Sequence, residues 1–168
     1  FHDIPNTVAH TCSILVKKGI DFFNLHLQGG SKMIAQAVKA SKDASRVMNI
    51  EAPTIIGVGL LSSFGQRTLT EELCVGRNIE DYSMQLAQIA KENGLDGIVA
   101  GASEEKKIRH DIGNDLIIVC TDCFGVNDDK VLSSCIFAFE FLVQPANSIV
   151  NMIAGINIIY LIFILKSP

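Results

Sequence analysis

Five apolar runs punctuate the chain: "FFNLHLQ" at 22–28, "TIIGVGLLS" at 54–62, "GIVAGA" at 97–102, "LIIVC" at 116–120 and "INIIYLIF" at 156–163. Each is continuous rather than alternating, the pattern of strands buried on both faces of a parallel sheet. Between them lie stretches with apolar positions at helical spacing. Ser31 stands ahead of "KMIAQAVKASKDASRVM" as its expected cap. "IEDYSMQLAQIAKENG" closes on Gly94 and the shorter "SEEKKIRHDIG" on Gly113, glycine being the residue that most readily ends a helix. Pro5 sits where a helix can begin.

Strand and helix alternating at about thirty residues per unit read as repeated βαβ units, hence an α/β fold. Two architectures satisfy that reading. An open doubly wound sheet usually carries a Gly-rich phosphate loop after its first strand; Gly29-Gly30 is the nearest candidate and lacks the G-x-G-x-x-G spacing. A (β/α) barrel needs eight strands and ~250 residues, so this chain would be a barrel without its beginning. Periodicity leaves both open.

With 168 residues, the chain is long enough for one domain with a core and short for two. Hydrophobic content of 48%, charged content of 19% and a net charge of −4 place it among slightly acidic globular proteins. No basic run is interleaved with aromatics, so no nucleic-acid partner is expected. An anionic ligand would have to be held by a local site rather than by the overall field. Cys12, Cys74, Cys120, Cys123 and Cys135 are odd in number and irregular in spacing, which argues for a reducing compartment and against a disulfide framework. Cys120 and Cys123 form a C-x-x-C pair with neither a helix start nor a second pair beside it. Buried small apolar residues are the expected reading there, not a zinc or redox site. No metal or cofactor is expected, and no signal peptide. From Ser148 to Leu165 there is no charge, but Asn151, Gly155 and Asn157 interrupt the run. It falls short of the ~20 apolar residues a bilayer demands, and a helix end running into a buried strand explains it as well. A membrane span is not expected.

The opening "FHDIPNTV" supplies the sharpest signal. It closely resembles the segment that follows the catalytic lysine in bacterial orotidine 5′-phosphate decarboxylases, where Asp-x-Lys is followed by Phe-x-Asp-Ile-Pro-x-Thr. "NLHLQGG" resembles the family's fourth strand with its Gly-Gly turn, "GVGLLSS" its fifth, and "AKENGLDGIVAGASE" the helix, sixth strand and loop that come next. The resemblance implies a (β/α)8 TIM barrel, here an incomplete one with about five of the eight strands and residues 1–168 as a single partial-barrel domain. It implies an N-terminally truncated chain whose match begins one residue after the lysine. It further implies a cytoplasmic carboxy-lyase of pyrimidine biosynthesis, converting orotidylate to uridylate and CO₂ as a homodimer with shared active sites.

The chemistry explains the residue types. Losing CO₂ leaves a carbanion at C6 of the ring with little delocalisation to relieve it, so the family surrounds that carbon with fixed charge. By resemblance, Asp3 is the last carboxylate of the Asp-Lys-Asp array and acts on the neighbouring subunit's substrate. Ile4 lines the shared pocket, Thr7 bonds a ribose hydroxyl, and Ser62 and Ser63 bond the base. Phe1, His2, Pro5 and Asn6 complete the substrate-binding set, although His2, like His26, is expected to pack and hydrogen-bond rather than catalyse. From periodicity alone Asp3 would read as a helix N-cap ahead of Pro5; the whole heptapeptide assigns it to the site.

The chain departs from the family pattern beyond about Val119. The family reads Thr-Pro-Gly-Ile-Arg where this chain reads "CTDCF" at 120–124, and "FGVNDDKVLSS" at 124–134 keeps only an echo of the following loop. After "MIAG", Ile162 and Phe163 stand where Gly-Arg would grip the phosphate. Phosphate binding energy drives the reacting end of such a substrate, and Phe cannot replace a bidentate Arg. The alternatives are a non-catalytic partner or membrane-held remnant of the family, or a related sugar-phosphate decarboxylase or isomerase barrel. "HDIPNT" followed by "LLSS" favours the orotidylate branch.

Overall fold

The computed structural model describes residues 1–120 and 163–165. Expectations for the C-x-x-C pair, the loop at 124–134, the uncharged stretch from 148 and position 162 fall outside those residues. Four of the apolar runs form strands β1 (Phe22–His26), β2 (Thr54–Val58), β3 (Gly97–Ala100) and β4 (Ile117–Cys120). They lie side by side in chain order and all run parallel. Helices α1 (Pro5–Lys17), α2 (Gly30–Met48), α3 (Ile79–Glu92) and α4 (Ala102–Ile112) alternate with them. Neighbouring residues Ile55 and Ile56 are both buried, because β2 is covered on both faces, which is why its sequence does not alternate.

β1 differs from its sequence reading. Phe23 and Leu25 are buried in the core with Val8 and Cys12 of α1 and Met33 and Ile34 of α2, whereas Asn24 between them is exposed. This strand is therefore half-buried, with the period of two that one covered face imposes. The strands also end earlier than their apolar runs. Leu27–Gly29 winds into a 3₁₀ turn that feeds α2 directly, and the chain leaves β2 at Gly59. That turn also overrides the expected cap. Gly29 holds the cap position of α2, no side chain caps it, and Ser31 lies within the first helical turn. Gly30 turns the chain there with φ of 81°, a conformation that favours glycine.

The other helix ends follow the expected chemistry. Asn78 caps α3, its side chain accepting from the Asp81 N–H at 2.7 Å. Gly94 follows that helix with φ of 75°, and Gly113 ends α4 with φ of 102°.

Of the fifth run only the last residue lies among the described ones, in β5 (Phe163–Leu165), which pairs antiparallel with β4. A further parallel strand was the expectation. Antiparallel pairing needs only that the chain run back along the free edge of β4, whereas a parallel strand requires another crossover.

On the opposite edge the ladder takes one more step. The Phe1 ammonium donates to the Asn24 carbonyl at 3.0 Å, and the His26 N–H donates to the Phe1 carbonyl at 2.9 Å. Bonding to the residues on either side of Leu25 is the parallel pattern. Phe1 thus stands beside Leu25 in an extended segment running the same way as β1, and His2 and Asp3 continue past it toward the C-terminal ends of the strands.

Candidate active site

Two chain segments carry the sequence-predicted residues, 1–7 and 62–63, and the sheet directs the start of both the same way. Residues 1–4 leave the Phe1 ladder step at the C-terminal end of β1. Leu27–Gly29 follows that strand. Ser62 and Ser63 follow β2, separated from Val58 by three residues.

Phe1 is anchored by its backbone and by its ring, which meets Phe23 edge-on at 6.2 Å between centroids. His2 stacks on His26, with centroids 5.7 Å apart and planes 27° apart. The Nδ1 of His26 is sealed from solvent and has no hydrogen-bond partner among the described residues. Burial, reinforced by the neighbouring His2 and the Phe1 ammonium, holds the His26 imidazolium pKa below its ordinary value. Burial likewise lowers the pKa of the Phe1 ammonium. His2, itself exposed, thus packs on His26, but among the described residues neither ring makes the expected hydrogen bond, and this pairing across 24 positions has no local signature in the sequence.

Asp3 is exposed, and its Oδ1 accepts from the adjacent Ile4 N–H at 2.6 Å. It does not cap α1. Ile4 occupies the cap position without a side-chain bond, and Pro5 opens the helix. Ile4 is 67% exposed, an unusual setting for an isoleucine beside a carboxylate. The Thr7 N–H donates to the Ile4 carbonyl at 3.0 Å, and among the described residues its exposed hydroxyl has no hydrogen-bond partner. Asn6 lies elsewhere, lining an outer groove of about 550 Å³ between α1 and α2 with Ser13, Gln36 and Asp43. Ser62 and Ser63 are exposed in a turn closed by the Phe64 N–H donating to the Leu61 carbonyl at 2.9 Å. Among the described residues no hydrogen bond joins either serine to Asp3 or Thr7. Gln66, three residues beyond Ser63, was not singled out by its sequence context; it ties this turn to α3.

Neighbouring parallel strands in chain order with helices between them give the chain the build of a (β/α)-barrel protein, a class whose sites lie beyond the C-terminal ends of the strands. The sequence model of the orotidine 5′-phosphate decarboxylase / HUMPS family matches residues 1–130, and the chain belongs to that family. It is 40% identical over 130 residues to the orotidine 5′-phosphate decarboxylase of Moorella thermoacetica, covering 77% of this chain and 52% of that one. The Gloeothece citriformis enzyme of the same name is 36% identical over 120 residues, with 71% and 50% covered. The crystal structure of the Lactobacillus acidophilus decarboxylase superposes with a TM-score of 0.67 at 32% identity, covering 71% of this chain and 53% of that one. The chain thus spans about half the length of the curated relatives it matches. The choice between an open sheet and a barrel is settled for the barrel. Among the described residues no helix is long and apolar enough to cross a membrane.

Proposed function

We propose that this polypeptide supplies the middle strands and one catalytic carboxylate of an orotidine 5′-phosphate decarboxylase, which converts orotidylate to uridylate and CO₂. The observation that carries the reading is the course of residues 1–4. The parallel step of Phe1 beside Leu25 sends Asp3 toward the strand ends, with its carboxylate exposed and, among the described residues, bonded only to the next amide. A carboxylate so placed can be set against the departing CO₂ group, raising the energy of the bound carboxylate relative to the transition state. In the same reading a lysine ammonium, which the family carries one residue ahead of the position of Phe1, protonates C6 as the C–C bond breaks. Thr7 reaches a ribose hydroxyl, and Ser62 and Ser63 face the base. The exposed Ile4 beside Asp3 supports a homodimer in which each subunit completes the other's pocket. Residues 1–168 act as one partial-barrel domain, in the cytoplasm.

Three polypeptides test this: the 168-residue chain, the chain extended at its amino end by a segment bearing Asp-x-Lys, and that extended chain with Ile162→Gly and Phe163→Arg. The first should give no decarboxylation above background, because one preorganised charge typically contributes ~3–4 kcal/mol to such a transition state. The second should turn over feebly with poor affinity. In the third, affinity and rate should improve together, since a charge-assisted phosphate contact contributes about 1.5–3 kcal/mol. Robust turnover by the 168-residue chain would overturn the assignment of roles, and inactivity of all three would favour a non-catalytic member of the family.

A further inference from the structure

Residues 59–78 form a long excursion between β2 and α3, a length at which loops without regular elements usually move. This one is tied down at two places. Its far limb carries a single π-type turn, Thr68–Glu72, whose Leu69 is fully buried. The Val75 N–H returns to the Leu69 carbonyl at 2.9 Å. The two serines lead directly into this turn, where the Leu69 N–H donates to the Gly65 carbonyl at 3.2 Å, and one side chain ties the start of the turn across to α3. The Gln66 Nε2 donates to the Arg77 carbonyl at 2.9 Å, and its Oε1 accepts from the Ile79 N–H at 2.9 Å.

We propose that Gln66 is a positioning residue, a brace that holds the Ser62–Ser63 turn in one place beyond the C-terminal end of β2. This rests on the reading of that turn as the neighbour of the pyrimidine. The chemistry accounts for the residue type. The Ile79 amide is one of the orphan donors at the start of α3, and Asn78 satisfies only another of them. A carboxamide alone among side chains of this length offers an acceptor for that amide and a donor for the Arg77 carbonyl. Glutamate keeps the acceptor but sets a charged oxygen against the carbonyl, and alanine loses both contacts. The Arg67–Glu71 ion pair within the turn is exposed and cannot substitute.

Backbone ¹⁵N relaxation and amide exchange on the 168-residue chain test the brace without reference to activity. In the unsubstituted chain, Ser62 and Ser63 should show the order parameters of rigid backbone, ~0.85, and in Gln66→Ala values below ~0.6. Exchange at the Phe64 and Ile79 amides should rise ~10-fold, the effect of two ordinary hydrogen bonds, with α1 and β1 unchanged. Gln66→Glu should loosen the serines while retaining protection at Ile79, and it decides the matter alone if Gln66→Ala does not fold. Unchanged order parameters at the serines, or a uniform loosening of the whole sheet in both variants, would overturn the proposal. Added uridylate should shift the Ser62 and Ser63 resonances of the unsubstituted chain, and more weakly those of the variants. Absence of that shift in the unsubstituted chain would count against the pyrimidine reading alone, because the relaxation comparison still decides the brace.

Discussion

The two ends of the strands use their polar groups in opposite ways. At the N-terminal ends they are spent on the protein itself. The Asp96 carboxylate accepts from the Ile55 N–H at 2.8 Å. The Asp96 N–H returns to the Ile55 carbonyl at 3.1 Å, and its carbonyl accepts from the Ile117 N–H at 2.9 Å. One residue thereby ties β2 to the lead-in of β3 and β4, and the Thr54 N–H extends the seam to the Asp21 carbonyl at 2.9 Å. At the C-terminal ends, among the described residues, Asp3 bonds only to its neighbour, the hydroxyls of Thr7, Ser62 and Ser63 are exposed, and an imidazole nitrogen of His26 is sealed without a partner. One face holds the sheet together, and on the other the Asp3 carboxylate and three hydroxyls stand open to solvent. Substitutions should therefore separate stability from chemistry according to the face they touch.

The largest effect is expected at Asp3. In the chain extended by Asp-x-Lys, Asp3→Asn should lower kcat by roughly 10²–10³-fold, the usual cost of one preorganised electrostatic group, while the urea midpoint stays within error. An equal loss of stability would mean that Asp3 belongs to the structural face after all.

Asp96→Ala should behave in the converse way. It strips a charged acceptor from a part-buried amide, a loss of about 1.5–3 kcal/mol, read as a lower urea midpoint at constant m-value. Gly97→Ala, on the same face, should cost about 1–3 kcal/mol by overpacking. A Cβ there would collide with the Ile117 backbone carbonyl and with the Ile56 side chain, and backbone cannot swing aside.

A smaller effect concerns pH. Burial, His2 and the Phe1 ammonium lower the folded-state pKa of His26 from its ordinary 6.5. As pH falls through 6.5, the unfolded chain takes up a proton that the folded chain still refuses, so stability declines until the folded pKa is passed. Urea unfolding at pH 7.5 and at pH 5.5 should show lower stability at the acid value, with part of the difference removed by His26→Asn. A histidine contribution that increased stability on acidification would contradict the stack.

The smallest effect is expected at the serines. Ser62→Ala and Ser63→Ala should leave stability within about 0.5 kcal/mol, as exposed substitutions usually do, and should weaken uridylate binding. Loss of binding without loss of stability is the behaviour of the open face.

Much of the framework was legible from local pattern. Four apolar runs became four parallel strands, Gly94 and Gly113 ended the helices they follow, and Pro5 opened α1. Strand burial and helix termination are governed by neighbours a few residues away, so they leave a local trace. The heptapeptide 1–7 and the serine pair named the family because their order is itself the signature. Ser31 failed as a cap because a 3₁₀ turn, invisible to periodicity, delivers the chain into α2 already wound.

What the sequence determined by itself is therefore the alternation of elements, the family, and the residue types gathered for its chemistry. Only the tertiary structure decided that Phe1 pairs beside Leu25, that His2 stacks on His26, that Asp96 seals the far face and that Gln66 reaches across to Ile79. Each of those contacts joins residues 13 to 41 positions apart. Such pairs meet only because four strands fix the relative height and direction of the segments that follow them, and no single stretch of sequence carries that geometry.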